Sequence, residues 1–278
     1  MKPSTAVTVT RYTAILVIGL AMGLPLFYLF SSSLMTPQDV SAYPPNLVPP
    51  EFRWANFSDA FDFLGSRTIA NSFIYSIGIV VLQLCIALPA GFALAKVRFR
   101  GSRALLVFFA IPMFLPNNVV LVPLYVVTNE LGLIGSYAGL ILPIVGRTAF
   151  ATLLFRQFFT TLPDGLIDAA KLDRAGWFRI VRHVAVPLSG PAVAAYASIT
   201  FLNSWNDFIW PLVAAPGDDY RVMTVALAPL AYQEGLSNVP PNVGMAAAVI
   251  SVIPVLLVFV FTQRWYIQGV VGTGTDNT

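Results

Sequence analysis

Leu162-Pro163-Asp164-Gly165-Leu166-Ile167-Asp168-Ala169-Ala170-Lys171-Leu172-Asp173-Arg174-Ala175-Gly176-Trp177-Phe178-Arg179-Ile180-Val181-Arg182-His183-Val184-Ala185-Val186-Pro187-Leu188-Ser189-Gly190-Pro191 is a polar interruption between two long apolar runs. From Asp164 to Leu172 the composition predicts a short helix, with Pro163 before it and the carboxylates Asp164 and Asp168 near its positive end. A second short helix is predicted from about Ala175. In it Ile180, Val181 and Val184 recur at helical spacing, while Arg179, Arg182 and His183 lie off that stripe. The segment therefore reads as structured, amphipathic and surface-exposed.

On both sides the chain is too apolar for a soluble domain. Of 278 residues 57% are hydrophobic and 10% charged, and the mean hydropathy is +0.75, whereas a soluble domain carries about a quarter charged residues. Crossing a hydrocarbon core of about 30 Å takes roughly 20 residues at 1.5 Å each. Runs of that length occur six times, at about 12–34, 68–95, 104–128, 136–158, 187–213 and 243–265. The first is too long for a cleaved signal and is read as a retained helix. Pro25, Pro89, Pro112, Pro116, Pro123 and Pro143 fall inside spans, where neighbours can satisfy the carbonyls they free. The fold class expected is all-α, a polytopic bundle with six transmembrane helices forming a single domain over 1–278, its core at about 60–265.

Basic residues near span ends mark the cytoplasmic side. With both termini inside, twelve fall there (Lys2, Arg11, Lys96, Arg98, Arg100, Arg103, Arg156, Lys171, Arg174, Arg179, Arg182 and Arg264), against Arg53, Arg67 and Arg221 outside. The polar segment, at 159–187, is then cytoplasmic. Two long loops, about 35–67 and 214–242, are external and rich in proline, aromatic and polar residues, as in Tyr43-Pro44-Pro45-Asn46 and Gln233-Glu234-Gly235. They read either as ordered connections or as surfaces for a partner outside the membrane.

The cytoplasmic segment resembles the EAA loop of ABC importer permeases, the coupling helix that docks into a groove on an ATPase subunit. The family pattern is Glu-Ala-Ala, two residues, Asp-Gly-Ala, eleven residues and a proline. Asp168-Ala169-Ala170, Asp173, Ala175 and Pro187 fall in that register. Asp168 stands where glutamate is usual, and Arg174 where glycine is usual, a position at which arginine would be strained by positive φ. Asp168, Ala169, Ala170, Asp173, Arg174 and Ala175 are, by this resemblance, the ATPase-coupling residues. Small side chains there let a helix lie deep in a groove. Trp205-Asn206-Asp207-Phe208, the run Pro37 to Phe57 with Trp54-Ala55-Asn56-Phe57, and Gln263-Arg264 followed by Gly269 resemble the second, maltose-type permease of carbohydrate importers. Glycerol-phosphate importers share these features. The resemblance implies a sugar or sugar-like cargo moved by alternating access in the bacterial inner membrane. It also implies a second homologous permease, two ATPase subunits and an extracytoplasmic solute-binding protein. ATP and magnesium belong to the ATPase subunits, and no cofactor to this chain.

Polar residues inside spans are costly and mark a pathway or an interhelical bond. Asn203, Asn206, Asp207 and Trp210 recur at i, i+3, i+4 and i+7, one helical face if the fifth span is continuous. Such a face suits sugar hydroxyls and ring faces; the same groups would equally serve to hold the bundle together. Asn71, with Ser72 and Tyr75, and Asn117, with Asn118, are weaker candidates. Arg147 lies near mid-depth of the fourth span. Its fork suits an anionic group such as a phosphate, or it is structural, bonded to carbonyls or paired with Asp207, which the count places nearer the outer face.

Other classes lack their residues. There is no Gly-x-x-x-x-Gly-Lys-Ser/Thr loop, so ATP hydrolysis is expected elsewhere. The single histidine, His183, lies away from every membrane serine, and no cluster has metal spacing, so an enzyme is not expected. Cys85 is alone in an apolar run, and the dispersed basic residues form no nucleic-acid surface. A secondary transporter, the remaining alternative, predicts paired membrane carboxylates; only Asp207 qualifies.

Overall fold

A computed structural model describes residues 5–231 and 239–272, with side chains described for 8–116, 119–230 and 239–263. Among the described residues every regular element is helical. Three helices are long and apolar enough to span a membrane unaided: Thr8–Ser32, Ser66–Lys96 and Pro241–Gln263. Three further pairs pass only together, Ser102–Phe114 with Val119–Glu130, Tyr137–Val145 with Ala149–Thr160 bent by 47°, and Trp177–Leu188 with Gly190–Trp205 bent by 77°. Counted as broken spans, they complete the six expected from the sequence, but the third, fourth and fifth are not the continuous helices that the apolar runs predicted.

The chain forms two compact units, one from residues 1–66 and 226–254, the other from 67–225 and 255–278. In the first, the helix Thr5–Ser32 exposes its apolar sides, none of its most hydrophobic window being buried. Thr36 and Asp39 cap each other around Pro37. Asn56, buried in the helix Ala55–Leu64, donates to the carbonyls of Ser33 and Met35 at 2.9 Å each and accepts from Asn242 at 2.8 Å. The loop at 35–67 is thus an ordered connection within this unit. Gln233-Glu234-Gly235 lies outside the described residues.

The second unit is built around the helix Ser66–Lys96. Towards its C-terminal end it shares a core with the segment at 162–188. Leu88 and Phe92 pack with Phe155, Phe159, Ile167, Ile180 and Ala185. Burying one such side chain is worth about 1.5–3 kcal/mol, so Ile167 and Ile180 fasten the polar segment to the bundle. Gly91 allows the close approach. A Cβ there would lie 2.8 Å from the backbone nitrogen of Arg156 and 3.0 Å from the carbonyl of Thr152. Towards the other end of the helix, Tyr75 and Ile79 pack with Leu140, Val145, Trp210 and Ala214.

Proline chemistry explains two irregularities. Pro187 cannot donate to His183, and the helix from Trp177 accommodates the gap as a π turn over Val181–Ala185, with the Val186 amide bonded to Val181. Pro211 likewise cannot donate to the carbonyl of Asp207. The helix Gly190–Trp205 ends before that point and a new one starts at Ile209. The carbonyl of Asp207 is taken instead by the hydroxyl of Thr224 at 2.7 Å.

Candidate functional site

The polar segment consists of the helix Asp164–Leu172, a tight reversal, and the helix from Trp177. The second helix therefore starts two residues later than expected. The reversal is a Schellman cap: the Ala175 amide donates to Ala170 at 3.0 Å and that of Arg174 to Lys171 at 2.9 Å. Arg174 sits at φ 55, the one non-glycine with positive φ among the described residues. The chain thus makes the turn that glycine would favour with an arginine in its place. Left-handed geometry costs a non-glycine residue roughly 1 kcal/mol. Arg174→Gly is therefore expected to raise the melting temperature in detergent slightly and the β-branched Arg174→Val to lower it; equal melting of the two variants would contradict the strain.

The exposed face of this element carries Asp168, Ala169, Leu172, Asp173 and Arg174, together with Phe178. Leu172 is 86% and Phe178 78% exposed, large apolar surfaces that this chain leaves uncovered. Ala170 and Ala175 are half-buried and pack against the bundle core, so their small size serves the fit to this chain's own helices. The expected stripe of Ile180, Val181 and Val184 faces the same core, with Arg179, Arg182 and His183 exposed. Lys171 reaches Asp168 at 3.3 Å and lies 5.1 Å from the ring centre of Trp177. Lys96 bridges Asp164 at 2.6 Å. The bond from Lys96 and its positive charge hold the Asp164 carboxyl below its ordinary value. A depressed carboxylate stabilises above its unfolded-state value and loses that contribution as pH falls through the folded one, so this bridge survives mild acid.

A cavity of about 560 Å³ opens in the second unit, lined by Ile79, Gln83, Arg147, Tyr196, Asn203, Asp207 and Trp210, among others. Both breaks border it. Arg147 lies in the break between Tyr137–Val145 and Ala149–Thr160, and Asp207 in the break between Trp205 and Ile209. Non-helical backbone at membrane depth is tolerated where it lines such a cavity. Asp207 accepts from the Tyr75 hydroxyl at 2.8 Å. Gln83 donates to Ile144 at 2.9 Å and accepts from Tyr196 at 2.6 Å, and the Trp210 indole donates to Leu140 at 3.0 Å.

The structure thus brings together Arg147, Asp207, Asn203 and Trp210, with Asp207 and Arg147 lining the same cavity, and it corrects two expectations. Asn206 does not belong to a common helical face with Asn203 and Trp210, because the helix ends at Trp205; its exposed side chain donates back to Leu202 at 2.8 Å. Asn71 lies away from the cavity, its amide bonded to Asp219 and Arg221 at 3.0 Å each and to the Tyr137 hydroxyl at 2.6 Å. The Asn117 and Asn118 side chains, like that of Arg264, lie outside those described. Gln83 and Tyr196 were missed in the sequence, although a glutamine deep in an apolar run is as costly as an asparagine.

A family description, binding-protein-dependent transport system inner membrane component, matches residues 87–272. The sn-glycerol-3-phosphate transport system permease protein UgpE of Agrobacterium fabrum is 34% identical over 267 residues, covering 93% of this chain and 94% of that one. UgpE of Yersinia pestis bv. Antiqua is 32% identical over 266 residues, covering 92% and 93%. Among solved structures, a bacterial ABC transporter involved in the import of the acidic polysaccharide alginate superposes with TM-score 0.85 at 22% identity, over 96% of this chain and 99% of that one. The MetNI methionine ABC transporter gives TM-score 0.53 at 24% identity, over 73% and 95%. These two likenesses speak for the fold. With an exposed polar loop held on a bundle of broken spans and a cavity between the breaks, the chain belongs to the binding-protein-dependent transport system inner membrane components.

Proposed function

We propose that this chain is the permease subunit of an ATP-driven importer, and that its cargo is a small, sugar-like anion of the glycerol-phosphate type. The observation that carries the cargo class is the charged cavity: Arg147 and Asp207 stand among amide and aromatic groups, each at a break between two helices. A guanidinium fork fits a phosphate, while Asp207, Asn203 and Trp210 suit hydroxyls and a carbon face. The relatives named for sn-glycerol-3-phosphate transport support the same class.

In this reading the termini lie in the cytoplasm and the face bearing Asp168, Ala169, Asp173 and Arg174 docks on an ATPase subunit. ATP and magnesium are bound by the ATPases. A second homologous permease completes the membrane pathway, and a soluble binding protein delivers cargo outside. Closure of the ATPases pulls the docked loops and turns the cavity outward.

Uptake into proteoliposomes of the reconstituted complex tests the cargo assignment. Arg147→Gln is expected to reduce sn-glycerol 3-phosphate uptake roughly ten- to a hundredfold, the loss of about 1.5–3 kcal/mol for a charged hydrogen bond, while sparing an uncharged sugar taken up by the same complex. Equal loss for both solutes, or no loss for either, would remove the anion assignment.

A further inference from the structure

The second span joins the cavity to the polar loop as one unbroken helix, and its last residue is tied twice. Lys96 ends the helix Ser66–Lys96, where the free carbonyls of the final turn favour a cation. Its side chain is only 8% exposed, and lysine is almost never buried without partners. Nζ donates to the carbonyl of Leu162 at 2.7 Å and to Asp164 Oδ1 at 2.6 Å. An ordinary surface pair between two flexible side chains is weak and mobile. Here the ammonium is shielded, and one acceptor is backbone, which no rotamer change can withdraw.

The rest of the helix is equally committed. Leu88 and Phe92 share a core with Ile167 and Ile180. About 20 Å from Lys96, at 1.5 Å per residue, Gln83 lines the cavity and donates to Ile144 beside the Arg147 break.

We infer that Lys96 is a positioning residue for energy coupling. By holding Leu162 and Asp164, it makes the second span move with the helix Asp164–Leu172, so that displacement of that helix reaches the cavity wall. The inference rests on the coupling reading of the loop, and the experiment separates the two.

In a Cys85→Ser background, a reporter cysteine replaces Ile199, an apolar residue of the cavity lining. Its labelling by a membrane-impermeant maleimide is compared with and without trapped nucleotide in the reconstituted complex. With Lys96 present, labelling is expected to change severalfold on ATP trapping. Lys96→Met is expected to abolish that change while ATP hydrolysis stays within about twofold, and Lys96→Arg to retain it. Asp164→Leu, altering a side chain that is 81% exposed, removes one of the two ties in a protein that folds normally and is expected to weaken the change. A nucleotide response of parental size in Asp164→Leu or in Lys96→Met overturns the inference. Cross-linking of Ala169→Cys to the ATPase subunit reports on docking alone. If it occurs in both the parent and Lys96→Met, a lost response is a failure of transmission; if it is absent from the parent, the coupling reading itself fails.

Discussion

Gly91→Ala is expected to lower the stability of the purified protein by about 2–3 kcal/mol, the upper part of the range for overpacked cores. In an open helix the same exchange helps by up to about 1 kcal/mol, because alanine has the better helix propensity. Gly23 in the first helix is such a site, with nothing within 4 Å of the added methyl. At Gly91 the added carbon meets the Phe155 Cβ at 2.8 Å, the Arg156 backbone nitrogen at 2.8 Å and the Thr152 carbonyl at 3.0 Å. Two of these three atoms are backbone, so relief requires the helix Ala149–Thr160 to move away from Ser66–Lys96. That movement also opens the packing of Phe92 on Phe155 and Phe159, which anchors Ile167 and Ile180. Thermal scans in detergent should place Gly91→Ala several degrees below the parent and Gly23→Ala at or above it. Equal melting of the two variants would show that close approach is not what Gly91 provides.

The six-span layout was legible because twenty apolar residues in a row have few other uses. The polar loop was legible from its helical stripe, and the bundle buries Ile180 as that spacing requires. What could not be read were pairings between residues far apart in the chain. Tyr75 meets Asp207, Gln83 meets Tyr196 and Lys96 meets Asp164 through tertiary packing. No periodicity encodes such contacts. The misplaced face at Asn203 to Trp210 had a signal that was passed over. Pro211 cannot make the helical bond to Asp207, which marks that carbonyl as a place where the helix can break. Arg174 is the reverse case. Local preference argued against the turn, and the cap bonds of Ala175 and Arg174, with Ala170 and Ala175 packed on the core, override it.

Asp173→Lys carries the largest expected effect on function. Asp173 caps the helix Asp164–Leu172 through its backbone, its amide donating to Ala169 at 3.1 Å, and its side chain is exposed. Reversing its charge therefore leaves the bundle intact while placing a cation on the proposed docking face beside Arg174. A like charge against a complementary surface costs several kcal/mol, enough to empty the docked state. The most direct test of the docking account is to reconstitute the Asp173→Lys complex and measure solute uptake and solute-stimulated ATP hydrolysis together. The account requires both to fall at least tenfold with normal membrane insertion. Uptake and stimulated hydrolysis at parental levels would contradict it.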